Sequence, residues 1–193
     1  MDMNWIKTLK SLQQPSCNVA PRLLGCELER TFGNKTVRVR IVETEAYSQT
    51  DAASHSYKGR TPRTDIMFGP AGHLYVYFTY GMHYCCNVVT GLEGEGAAVL
   101  IRAVEPLEGE NILETQRRVQ GISLTNGPAK LSQALGIDKQ LNGHDLSLSP
   151  LKLVLRPPLE ANMITTTTRI GISQAKDVPW RFYISDSPYV SKK

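Results

Sequence analysis

The chain has 193 residues, 41% of them apolar and 21% charged, with a formal net charge of +4. These values suit one globular domain that buries a substantial core, and they permit an anionic partner without demanding one. No apolar run approaches the ~20 residues that span a bilayer, and no signal-peptide segment opens the chain, so a soluble cytoplasmic protein is expected.

Residues 4–14 read as a helix with Trp5, Leu9 and Leu12 on one stripe. Pro15 ends it, and a second helix is expected over residues 19–24. From Thr36 the period changes to two. Val37, Val39 and Ile41 alternate with Thr36, Arg38 and Arg40, the pattern of a half-buried strand.

Continued further, that alternation puts Glu43, Glu45 and Tyr47 on the apolar side and Val42, Thr44 and Ala46 on the other. Carboxylates facing a core are costly unless paired or in use. Two readings stay open: the strand reaches solvent by Glu43 or is rotated by a bulge, or a carboxylate at its end opens into a pocket. In a pocket it can take a proton from water and stabilise positive charge on a sugar ring. Carboxylates at i and i+2 lie ~7 Å apart, inside the ~6.5–9.5 Å range of inverting glycoside hydrolases.

Residues 48–73 are rich in Ser, Thr, Asp, Gly and Pro and form a long irregular connection, which in a compact domain is usually functional or disordered. His55 lies within it, and Lys58, Arg60 and Arg63 follow as candidate phosphate contacts. Strands are expected over 74–80 and 84–89, separated by Gly81. Tyr75, Tyr77, Tyr80 and Tyr84 place half of the chain's eight tyrosines in ten residues. Core packing suits Tyr75 and Tyr84, while an aromatic at a strand–turn junction suits a wedge between bases.

Cys17, Cys26, Cys85 and Cys86 fit no zinc spacing and read as small buried hydrophobes. In a strand, the adjacent Cys85 and Cys86 point to opposite faces. A strand over 97–104, helices over 107–120 and 129–135, and strands over 146–155 and 180–184 complete an α+β reading with a mostly antiparallel sheet. Residues 151–193 carry seven Lys/Arg against three Asp/Glu, which accounts for the whole positive surplus.

The ordered series Ile41-Val42-Glu43-Thr44-Glu45-Ala46-Tyr47, Ala53-Ser54-His55, Met67-Phe68-Gly69-Pro70, Tyr75-Val76-Tyr77 and Tyr80-Gly81-Met82-His83 is specific in combination. It continues through Asn87, Leu100-Ile101-Arg102-Ala103, Glu105-Pro106, Thr125-Asn126-Gly127-Pro128-Ala129-Lys130, Arg169-Ile170-Gly171 and Arg181-Phe182-Tyr183. From about Ala20 to Ser191 the chain resembles the alkyladenine (3-methyladenine) DNA glycosylase family.

The resemblance implies a single α+β domain over residues 1–193, built on a curved, mostly antiparallel sheet with flanking helices, like a formyltransferase C-terminal domain. It implies no metal and no cofactor. By the same resemblance Glu45 is the catalytic carboxylate, with Arg102 ordering its water. Tyr47, His55 and Tyr77 stack on and edge a flipped base, Leu100 and Ile170 line the pocket, and Asn87 hinders purines with a 2-amino group. Tyr80 fills the gap in the duplex, with Met82 and His83 beside it, and Lys130 matches a position of DNA contact or packing that joins Lys58, Arg60 and Arg63 as a candidate for the DNA backbone. Glu43 is structural.

The expected partner is double-stranded DNA containing damaged purines, engaged by a monomer with no membrane association and no lyase activity. Two alternatives are weighed beside it: a sugar hydrolase using Glu43 and Glu45, and a catalytically silent damaged-DNA binding module.

Overall fold

The structure is a computed structural model that describes residues 9–79 and 81–192. Eight strands form one antiparallel sheet: β1 (Glu27–Phe32), β2 (Lys35–Tyr47), β3 (Leu74–Thr79), β4 (His83–Val89), β5 (Ala98–Glu108), β6 (Leu151–Val154), β7 (Ile164–Thr167) and β8 (Arg181–Ile184). The spatial order is β3-β4-β5-β2-β1-β6, with β8 also paired to β2 and β7 lying beyond β8. Helices α1 (Ser16–Arg22), α2 (Glu110–Arg117) and α3 (Pro128–Ala134) flank this curled sheet, which is the expected α+β class. Among the described residues, no helix is long and apolar enough to cross a membrane.

The 13-residue β2 organises the sheet. It pairs with β5 along its length; on its other edge its first half takes β1 and Glu43–Glu45 take β8. Its apolar positions Val37, Val39 and Ile41 join the main core with Leu23, Leu24 and Leu28 beneath α1, and with Leu131 and Leu135 around α3.

Two strands escape the sequence reading. β1 carries Glu27, Glu29 and Arg30 and shows no clean alternation, yet it becomes a strand because β2 and β6 supply partners on both edges. β7, a run of Ile and Thr, is held by its ladder to β8. The helix expected over 107–120 shortens to α2 because β5 runs on to Glu108 and Gly109 turns at φ 75°. Pro106, which has no N–H to donate, sits beside the register shift at Arg38/Val39. The strand expected over 146–155 contracts to β6 for lack of ladder partners before Leu151. Of the first expected helix, residues 9–12 are helical and Trp5 lies outside the described residues.

The long 48–73 connection is folded into turns and one 3-10 helix, Asp65–Phe68. It docks on the β4–β5 connection at Gly96, where a Cβ would lie 2.6 Å from the Phe68 ring and 2.7 Å from Ser56. Only a glycine allows that approach. The Ser56 hydroxyl then donates to the Gly96 carbonyl at 2.6 Å.

Candidate active site

The two glutamates of β2 owe their orientation to bulges. The β2–β5 register shifts between Ile41 and Glu43 and again between Glu43 and Thr44. An extra residue in one strand reverses which face later side chains occupy. Ala46 therefore joins Val37, Val39 and Ile41 in the main core, and the Thr44 hydroxyl donates to the Ala20 carbonyl of α1 at 2.9 Å. Simple alternation had placed Thr44 and Ala46 on the opposite side, and the bulges correct that. Glu43 and Glu45 turn away from the main core, yet both have 0% exposure.

Buried carboxylates are tolerable only when their oxygens are engaged. Glu43 accepts from Arg102 Nε (3.2 Å), Arg181 Nε (2.7 Å), the Ser191 hydroxyl (2.9 Å) and the Ser191 amide (2.7 Å). Three of these donors crowd Oε1 and only the Ser191 amide meets Oε2, so Glu43 is the more heavily engaged of the two glutamates. Glu45 accepts from the Tyr47 hydroxyl (2.8 Å) and Arg102 Nη1 (3.2 Å) at Oε2, and from the Ile170 amide (2.8 Å) at Oε1. It keeps one acceptor position, on Oε1. Burial works to lower the Arg102 pKa, but Glu45 and Glu43 raise it overall, so the guanidinium stays charged. Burial, followed by the Glu45 charge, lifts the Tyr47 hydroxyl above its usual range, so it remains a donor to Glu45.

Over this network lies a cavity of about 470 Å³, walled by Tyr47, His55, Tyr75, Tyr77, Asn87 and Leu100, with Arg102, Ile170 and Pro128 also on its surface. Three groups that hold Glu45, namely Tyr47, Arg102 and Ile170, line the cavity, while the carboxylate itself lies just behind them. Tyr77 stacks on Tyr75 at 5.7 Å and meets the edge of His55 at 4.6 Å. His55 Nδ1 and the Tyr75 hydroxyl share a 2.9 Å hydrogen bond, and Asn87 is fixed by donating to the Tyr75 carbonyl at 3.2 Å. Cys85 faces this cavity and Cys86 the main core, the opposed pair expected of a strand. All four cysteines are free.

Packing against the tyrosines, followed by the Arg63 charge, holds the His55 pKa below its ordinary 6.5, although part of the ring still faces solvent. The imidazole is thus neutral at pH 7. Removing the Arg63 charge favours the protonated ring, so Arg63→Gln should move the His55 NMR titration midpoint upward, toward 6.5. An unmoved midpoint would show that Arg63 does not act on this ring.

Sequence reasoning quoted Arg169 within a motif but gave it no role. Its side chain is fully buried. It forms a two-pronged ion pair with Asp51, through Nη1 to Oδ2 and through Nη2 to Oδ1 at 2.9 Å, and donates to the Ala46 carbonyl at 2.9 Å. The guanidinium lies over the Tyr47 ring (4.8 Å) and the Trp180 ring (5.4 Å). One residue thereby ties the start of the 48–73 connection to a cavity wall. Arg181 and Ser191 were likewise overlooked. They are 138 and 148 residues from Glu43, and no local pattern links them to it.

The remaining candidates do not line the cavity, Tyr80 aside. Met82 (68% exposed) and His83 are open at the β3–β4 hairpin, beside the exposed Phe78 (49%). Tyr80, expected to fill the gap in a duplex, lies outside the described residues. Lys58 is exposed. Arg60 is half exposed, bound to the Phe68 carbonyl (3.0 Å) and near Asp65 (3.6 Å). Arg63 lies 5.9 Å over the Tyr77 ring, and Lys130 donates to Asn126 at 2.7 Å.

The family described as Methylpurine-DNA glycosylase matches residues 10–188. A Carboxydothermus hydrogenoformans protein named "Putative 3-methyladenine DNA glycosylase" is 52% identical over 177 residues, covering 91% of this chain and 93% of its own. Proteins of the same name are similar at 48% in Methanoculleus marisnigri (94% and 96% covered) and at 50% in Desulfitobacterium hafniense (91% and 93%).

Proposed function

The chain belongs to the methylpurine-DNA glycosylase family, and from that membership we propose that it is a monofunctional DNA glycosylase which flips damaged purines from duplex DNA and hydrolyses their N-glycosidic bond. The observation that carries this reading is an aromatic-walled cavity of about 470 Å³ with Arg102 on its surface and its partner Glu45 just behind.

A base inside a duplex is out of reach, so extrusion must offset a few kcal/mol of lost stacking. The exposed Met82 and Phe78 give the β3–β4 hairpin an apolar tip suited to an opened base step, with Tyr80 as the wedge. Lys58, Arg60, Arg63 and Lys130 are the phosphate contacts in this reading. The flipped purine lies between Tyr47 and Tyr77, edged by His55, with Leu100 and Ile170 on the wall and Asn87 positioned to meet a 2-amino group. Neutral His55 spares a cationic base the repulsion that an imidazolium would bring.

In the reaction, water adds to C1′ and the electron pair of the N-glycosidic bond leaves with the purine. Glu45 takes the proton from the water, and its charge stabilises the oxocarbenium character of the sugar. The open Oε1 position is where that water binds, once an entering base shifts the Tyr47–Ile170 wall. A cationic 3-methyladenine departs as a neutral base, whereas hypoxanthine or ethenoadenine needs a proton on the ring. 7-Methylguanine belongs to the cationic class. Water as nucleophile leaves an abasic site, with no amine intermediate and hence no strand cleavage.

The lining of the cavity argues against a Glu43/Glu45 sugar-hydrolase pair: Tyr47, Arg102 and Ile170, which hold Glu45, all face it, whereas Arg181 and Ser191, which supply three of the four hydrogen bonds to Glu43, do not. The expected result with a duplex carrying one hypoxanthine or ethenoadenine is strand breaks that appear only after hot alkali. Breaks without alkali would mean a lyase; lesion-selective binding with no breaks on either duplex would mean a binding module.

A further inference from the structure

None of the steps above uses Glu43, although it is completely buried and carries four hydrogen bonds. Two of them come from Ser191, near the end of the chain. The Ser191 amide donates to Oε2 at 2.7 Å and its hydroxyl to Oε1 at 2.9 Å. The same hydroxyl oxygen accepts from Arg102 Nη2 at 3.4 Å. The next residue is held too, since Arg181 Nη2 donates to the Lys192 carbonyl while Arg181 Nε donates to Glu43. Val190, just before, is buried at 7% exposure. The C-terminal segment is therefore plugged into the floor beneath the cavity.

Each nitrogen of Arg102 has its own partner: Nε meets Glu43, Nη1 meets Glu45 and Nη2 meets Ser191. A guanidinium is planar and rigid, so fixing two of its nitrogens fixes the direction of the third. We infer that Ser191 and Glu43 are positioning residues for the reaction, the C-terminal segment acting as a latch that aims Arg102 at Glu45. The inference deepens the proposed role of Glu45 and rests on it. Neither Ser191 nor Glu43 lines the cavity. Their effect falls on the rate of the chemical step and leaves binding of lesion DNA intact.

Ser191→Pro removes both donors of that residue without changing any charge, and Ser191→Ala leaves only the amide donor. Single-turnover excision of hypoxanthine, Kd for the same duplex and melting temperature are compared with wild type. The expected result for Ser191→Pro is a rate about tenfold lower at an unchanged Kd, and for Ser191→Ala a loss of about threefold.

Wild-type rates in both variants would overturn the latch, as would a rate loss that only parallels losses in Kd and melting temperature. Should Ser191→Pro fail to fold, Ser191→Ala decides alone, and a wild-type rate there overturns the inference. Glu45→Gln separates the two readings. If that variant is inactive while Ser191→Pro is fully active, only the latch fails; if it stays active, the role of Glu45 itself fails.

Discussion

Glu45→Gln is expected to slow base excision by roughly 10²–10⁴-fold while leaving lesion-containing duplex bound, that factor being what a positioned general base contributes. The side chain keeps its length and can still occupy the site, so the loss falls on chemistry. Three donors now converge on Glu45: the Tyr47 hydroxyl, Arg102 Nη1 and the Ile170 amide. A carboxamide satisfies part of this set with its single oxygen and turns an NH₂ toward the rest. It also carries no charge to face the developing oxocarbenium, and it cannot take a proton from water. Single-turnover rates with enzyme in excess, together with Kd for a hypoxanthine duplex, check this. A variant within tenfold of wild type in rate would remove Glu45 from the chemistry.

Arg169→Met is expected to destabilise the fold by about 3–5 kcal/mol, the cost of leaving one member of a buried ion pair uncompensated. Asp51 is 6% exposed and the Arg169 side chain fully buried, so water cannot replace the lost partner. For a domain of this size the melting temperature should fall by roughly 6–20 °C. The pair is not ideal, because Arg169 Nε is buried without an acceptor. Replacing both residues, as in Asp51→Leu with Arg169→Met, should therefore recover much of the loss, since no stranded charge remains. A single variant that melts within 2 °C of wild type, measured by circular dichroism, would show that this pair contributes no net stability. Base binding should weaken as well, because the Tyr47 ring loses the guanidinium packed over it.

Much of the sheet was legible from period-two patterns. Val37, Val39 and Ile41 announced β2, and the tyrosines spaced by two announced β3, because a strand with one face in the core writes that face into its sequence. β1 and β7 left weaker marks. Their strand state comes from partners in β2, β6 and β8 rather than from their own composition. The Leu107 start expected for a helix was overridden by the same means, as pairing with β2 extended β5 to Glu108.

By itself the sequence determined the α+β class, the two glutamates of β2 as its unusual feature, the tyrosine cluster, and a motif series specific enough to indicate the family. Those are local properties of side-chain type and spacing. Only the tertiary structure decided what separates the two glutamates. Bulges in the β2–β5 ladder turn both away from the main core, after which Arg181 of β8 and Ser191 of the C-terminal segment engage Glu43 away from the cavity, while the cavity-lining Tyr47, Arg102 and Ile170 hold Glu45 just behind its wall. Apart from Tyr47, every donor to either carboxylate lies more than 50 residues away along the chain, so neighbours in sequence could not show which of two identical carboxylates lies next to the cavity.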